Sequence, residues 1–72
     1  MNREQAMAML KELVKNDLVE PSYVSMVQST PNHFQIKIKS NYRRAEIEDH
    51  AKKHGLAIVE DKEKKYLMIF KP

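Results

Sequence analysis

The stretch HFQIKIKSNYRR, residues 33–44, contains the clearest strand pattern of the chain and holds four Lys and Arg side chains but no acid. Phe34, Ile36 and Ile38 alternate with polar residues, which is the period-two pattern of a β-strand with one buried face and one solvated face. The sequence therefore predicts a half-buried strand that leads into a helix.

The residues before this strand predict a helix and a first strand. Asn2 and Gln5 have the spacing of a capping box, and apolar residues then recur every three or four positions as far as Val14. This pattern predicts an amphipathic helix over about residues 3–16. Residues 22–28 are rich in β-branched and aromatic side chains and precede a Ser-Thr-Pro-Asn turn, so we expect a strand there.

The residues after the strand predict a second helix and a terminal hairpin. Ser40 or Asn41 is a suitable N-cap, Ile47 and Ala51 form the expected buried side, and Gly55 stands where a left-handed C′ residue ends a helix. Two apolar stretches, residues 56–60 and 66–71, flank a charged turn. We expect them to pair as antiparallel strands.

The predicted order of elements is αββαββ, and it defines the expected fold class. The sequence predicts a single small α+β domain over residues 1–72, a two-layer sandwich with a mainly antiparallel four-stranded sheet and two helices on one face. At this size a single hydrophobic core rarely supplies more than about 3–5 kcal/mol of net stability. The absence of cysteine excludes disulfides, thiolate metal sites and cysteine nucleophiles.

Charge and hydropathy bear on the predicted location. The net charge is +3, and charged residues interrupt the apolar positions of the first twenty residues. A signal peptide requires an uninterrupted apolar region, and no apolar run approaches the roughly 18 residues of a membrane span. We therefore expect a cytoplasmic protein that has no membrane partner.

The basic segment, residues 37–44, allows two interpretations. Its lysines can simply keep a strand soluble while its arginines pair with acids of the following helix, or the segment can bind anions such as nucleic-acid phosphates. The arginines are expected in the first turn of that helix, where bound phosphate also meets free backbone amides. The candidate nucleic-acid contacts are Lys37, Lys39, Tyr42, Arg43 and Arg44.

The segment KYLMIFK, residues 65–71, is apolar on both sides of the predicted strand. Leu67 and Ile69 point to one face, and Tyr66, Met68 and Phe70 point to the other. Two helices on one face of the sheet can cover only the first set. The second set is then expected to meet a partner chain, a ligand, a folded-over terminus or water, unless another element covers it. We favour a partner chain, which is a second copy of this protein or another protein.

The position of these aromatic residues relative to the lysines bears on the interpretation that the basic segment binds nucleic acid. If Tyr66 and Phe70 lie beside Lys37 and Lys39, rings and cations alternate on one open face, as on sheets that stack RNA bases. This arrangement depends on the strand order, which the sequence leaves open.

Two histidines, His50 and His54, are four residues apart on the second helix, a spacing that can place two imidazoles on one metal. A zinc site needs three or four protein ligands, and no third ligand is evident from the sequence. We therefore predict no metal site and no cofactor, with His54 hydrogen-bonded at the edge of the core and His50 exposed. The serines lack the glycines of a nucleophile elbow, so we also predict no enzymatic activity.

The segment AKKHGLAIVEDKEKKYLMIFKP, residues 51–72, lies within a region from about residue 41 that resembles the helix and terminal hairpin of the TusA-like sulfur carriers. The resemblance covers less than half of the chain. In that family the sulfur is carried by a cysteine in a Cys-Pro motif at the start of the first helix. The corresponding helix here contains NREQAMAML and no cysteine, so the resemblance implies no sulfur transfer.

Taken together, the sequence predicts a non-enzymatic binding or regulatory module. Its leading function is protein–protein contact through the open sheet face, either in a homodimer or with another protein. The alternative is nucleic-acid binding by the basic segment.

Overall fold

The computed structural model describes residues 1–39 and 43–72 and has the predicted order of elements. The chain forms α1 (Arg3–Lys15), a short 3-10 turn (Pro21–Tyr23), β1 (Val24–Thr30), β2 (His33–Lys39), α2 (Arg44–Lys53), β3 (Ala57–Asp61) and β4 (Tyr66–Phe70). Over the described residues the fold is α+β, with two helices and an open, antiparallel four-stranded sheet. The first strand begins two residues later than predicted, because Pro21 opens the 3-10 turn and its ring presets the backbone for it.

The strand order in the sheet is β1-β2-β4-β3, and every neighbouring pair is antiparallel. The strands β2 and β4 are therefore central, although α2 and β3 separate them in the chain. Ile36 is opposite Ile69, and Ile38 is opposite Leu67. Directly opposed residues point to the same side of a sheet, so these four side chains form one apolar patch.

The hydrophobic core lies between this patch and the helices. All four of its side chains are fully buried, and they form one cluster with residues of both helices. Because the cluster uses a single face of β2 and β4, both helices pack against that face. Full burial of an aliphatic side chain contributes about 1.5–3 kcal/mol. The helix residues in the cluster are Ala6, Met9, Leu13, Ile47 and Ala51.

The ends of the helices agree with the prediction except at one position. The Asn2 side chain accepts a 2.7 Å hydrogen bond from the Gln5 amide, and the Gln5 side chain accepts one of 3.0 Å from the Asn2 amide. Gly55 has a φ of 69° just after α2, as expected of a C′ glycine. The second helix, however, begins at Arg44 with Arg43 at the N-cap. Ser40 and Asn41, the predicted N-cap residues, lie outside the described residues.

Neither helix in the described part of the chain is long and apolar enough to cross a membrane.

Candidate functional site

The face of the sheet opposite the helices carries the residues that the sequence singled out on β2 and β4. Strand pairing arranges them in two rows across the sheet. The first row runs Lys39, Tyr66, Asp61, and the second runs Lys37, Met68, Val59. We call this surface the open face; it also contains Phe70, which is opposite Ala57.

Apolar side chains are partly exposed on the open face. Val59 is 55% exposed, and Met68 and Phe70 on the neighbouring strand are partly buried. Among the described residues, the exposed large hydrophobic side chains are those of Val59 and Tyr23. The prediction that Leu67 and Ile69 face the core while Tyr66, Met68 and Phe70 face away from it is confirmed.

The strand order brings the lysines and the aromatic ring of β4 together. Lys37 Nζ lies 4.5 Å from the centre of the Tyr66 ring, which is the geometry of a cation–π contact. Lys39 is directly opposite Tyr66 on the paired strand. The strand order on which the mixed aromatic and cationic surface depended is therefore present, and it places Tyr66 beside both lysines. Phe70 lies further along β4, opposite Ala57.

The two arginines of the basic segment are held by acids. Arg43 lies 3.5 Å from Glu46, while Arg44 lies 3.6 Å from Glu48 and 3.2 Å from Glu60 on β3. Such contacts were expected if the arginines pair with acids and bind no phosphate. They also offset the unfavourable position of cations at a helix N-terminus. Tyr42, the remaining predicted contact in this segment, lies outside the described residues.

The histidines of α2 differ from the prediction. His50 is the more buried, with 17% of its side chain exposed, whereas His54 is 45% exposed. The reason is that His50 points towards α1, where its Nε2 lies 3.2 Å from Glu12 Oε2. His54 Nε2 lies 3.2 Å from the same oxygen, so both rings converge on one carboxylate that the sequence interpretation did not connect with them.

The sequence interpretation also missed Val59 and Asp61 as parts of the open face. The alternation in the stretch AIVED does place Val59 and Asp61 on one side of a strand. Which side faces the helices depends on the register with β4, and only the pairing of Val59 with Met68 decides it.

Comparisons of this chain with protein-family models, with curated proteins and with solved structures each found no match. They therefore assign no family and give no support to the partial resemblance to the sulfur carriers.

Proposed function

We propose that this protein is a small non-enzymatic binding module that acts through protein–protein contacts on the open face, and that its partner is a second copy of the chain. The observation that carries the proposal is the exposed Val59 beside the partly buried Met68 and Phe70. Apolar side chains grouped on one surface favour association, because contact with a partner removes them from water.

The arrangement of charges supports a second copy as the partner. Lys39 and Asp61 lie on either side of Tyr66, since each is its direct partner on a neighbouring strand. A twofold axis that runs parallel to β4 and above it places Lys39 of one copy against Asp61 of the other. The same axis stacks Met68 on Met68, so the open face is complementary to itself, as an isologous interface requires.

The size of the open face sets the expected strength of the dimer. Four strands spaced about 4.8 Å apart and five residues long, at about 3.4 Å per residue, cover roughly 19 by 17 Å. The flat area of such a face is about 320 Å², which is well below the roughly 800 Å² per partner of a standard stable interface, and side-chain relief makes up only part of the difference. We therefore expect a dimer that dissociates on dilution.

Sedimentation equilibrium over a series of protein concentrations tests the proposal. The wild-type chain should shift from monomer to dimer, and Val59→Lys should remain a monomer because the new cation faces Lys37 of the other copy. Ala8→Lys adds the same charge on the exposed side of α1 and should dimerise like the wild type. A wild-type chain that stays monomeric at every concentration, or variants that behave alike, would contradict the proposal.

A second candidate function, nucleic-acid binding, is favoured by the contact between Lys37 and Tyr66. Rings and cations on one sheet face are the features that bind single strands through stacking and phosphate contacts. Against it, the ion pairs of Arg43 and Arg44 would compete with phosphate.

Amide chemical shifts recorded during addition of mixed single-stranded and duplex oligonucleotides, at low and near-physiological salt, test this candidate. Binding predicts shifts on β2 and β4 that persist at the higher salt and that weaken in Lys39→Ala, with a smaller salt dependence. Shifts that disappear with salt, or that are the same in Lys39→Ala, would exclude a site at Lys39.

A further inference from the structure

We propose that Glu12, His50 and His54 form a binding site for a divalent transition-metal ion, Zn²⁺ in the first instance, between α1 and α2. This site is separate from the open face, because its residues lie in the helix layer. It goes beyond the proposed function and does not depend on it.

The spacing of the ligand atoms suits zinc. Each histidine Nε2 lies 3.2 Å from Glu12 Oε2, and one ligand atom from each of the three residues lies within 4.8 Å of the others. Zinc bonds to histidine nitrogen and carboxylate oxygen are about 2.0–2.2 Å long, and tetrahedral angles between them then separate two ligand atoms by about 3.4 Å. The two separations between histidine Nε2 and Glu12 Oε2 are therefore close to the value for a bound ion, and the two histidine ligand nitrogens lie within 4.8 Å of each other.

The local fold explains why these atoms meet. His50 and His54 are one helical turn apart near the C-terminal end of α2, and their ring centres are 5.0 Å apart. Glu12 comes from the last turns of α1, so the shared contact joins the two helices. His50 Nε2 and Glu12 Oε2 are within hydrogen-bond distance of each other, and zinc would bind through the same atoms once each imidazole presents an unprotonated nitrogen.

The donor set selects the class of metal. Two imidazole nitrogens and one carboxylate oxygen match zinc and other late first-row ions, whereas Mg²⁺ and Ca²⁺ prefer oxygen ligands throughout. Three protein ligands also leave one zinc position open. Glu12 and His54 are 47% and 45% exposed, so an ion can reach the site from solvent.

A cleft lies beside Glu12 and His54. Its volume is about 250 Å³, and Glu12 and His54 form part of its wall together with Gln5 and Leu56. Water or a small anionic ligand in this cleft could complete the coordination of the metal.

Metal binding here would have a structural consequence. The chain contains no cysteine, and small domains that lack disulfides are often stabilised by metal ions. Because Glu12 and His50 are 38 residues apart in the chain, a bridging ion would close a long loop and oppose unfolding.

The test is calorimetric titration of metal-free protein with ZnCl₂, together with thermal unfolding with and without zinc. We expect one zinc per chain and a raised melting temperature for the wild type. His54→Ala and Glu12→Gln should weaken binding by at least about tenfold, because even indirect partners of a metal contribute about 10–100-fold. Circular dichroism checks that each variant remains folded.

The third histidine provides the matched control. His33 is exposed and its Nδ1 contacts Thr30 at 2.7 Å, in the β1–β2 turn, so His33→Ala should bind zinc like the wild type. Replacing zinc by Co²⁺ should produce the strong visible absorption of a four-coordinate site, and His54→Ala should lose it. No zinc binding by the wild type, equal affinity in folded His54→Ala, or a loss caused by His33→Ala would each overturn the proposal.

Discussion

Lys37 on β2 and Tyr66 on β4 are diagonal neighbours across two paired strands, and the lysine Nζ lies 4.5 Å from the centre of the tyrosine ring. The contact ties the two central strands together on the open face, opposite the hydrophobic core. It also directs the charge of Lys37 towards the ring of Tyr66, while Lys39 in the same strand is exposed.

A double-mutant cycle measures what this contact contributes to folding. Lys37→Met and Tyr66→Leu, alone and together, should show a coupling energy of about 0.5–1 kcal/mol, the range of a cation–π pair near the surface. Urea unfolding at a concentration that keeps the chain monomeric provides the free energies. Strictly additive effects would mean that the contact does not stabilise the monomer.

The pairing of Lys39 with Asp61 across the proposed dimer predicts a pattern of loss and recovery. Lys39→Glu should weaken the dimer, because the new carboxylate faces Asp61 of the other copy. Adding Asp61→Asn removes that repulsion and should restore part of the affinity in sedimentation equilibrium. Asparagine is chosen because Asp61 Oδ1 accepts hydrogen bonds from the amides of Glu63 and Lys64, which the amide oxygen can still accept.

Equal loss of dimer affinity in Lys39→Glu and in the double variant would contradict the proposed twofold axis. If Lys39→Glu and the double variant dimerise equally poorly, Lys39 and Asp61 do not meet across the interface. Dimerisation unaffected by either change would place the interface elsewhere on the molecule.

The two faces of the sheet should respond differently to truncation. Ile69→Ala removes a fully buried side chain and should cost about 2–5 kcal/mol, enough to unfold much of a domain of this size. Val59→Ala, at a half-exposed position on the adjacent strand, should cost less than about 1 kcal/mol. Urea unfolding followed by circular dichroism compares them, and similar losses would show that the face assignment is wrong.

The end of α2 depends on the backbone freedom of Gly55. Its φ is 69°, and apart from its two chain neighbours no residue has a heavy atom within 4 Å of the position that a Cβ would take. Gly55→Ala should therefore destabilise the fold through backbone strain alone, by about 1 kcal/mol. Gly55→Asn should lose less, because asparagine tolerates this conformation. Thermal unfolding distinguishes the two variants, and an alanine variant as stable as the wild type would contradict this explanation.

Much of the fold was predictable because its signals are local. The alternation of Phe34, Ile36 and Ile38 and the capping pair of Asn2 and Gln5 depend only on neighbours a few residues away. Those periodicities determine which residues form helices and strands and which side of each is apolar. The start of α2 was predicted less well, because the apolar pattern is weak there and charged residues occupy its first turn.

The candidate sites were predictable only in part. The apolar second side of β4 and the solvated lysines of β2 follow from alternation, and so did the expectation that an open face exists. The ion pair of Arg44 with Glu60, however, joins α2 to β3, and the sequence predicted acidic partners only on the following helix.

The sequence by itself determined the order αββαββ, the absence of cysteine chemistry and the apolar residues of each element. Only the tertiary structure decided that β2 lies beside β4 and that Glu12 lies between His50 and His54. The physical reason is the distance along the chain over which each kind of interaction acts. Periodicity and caps act through adjacent turns of one element, whereas a contact between residues 38 positions apart exists only when packing of the whole core brings two elements together.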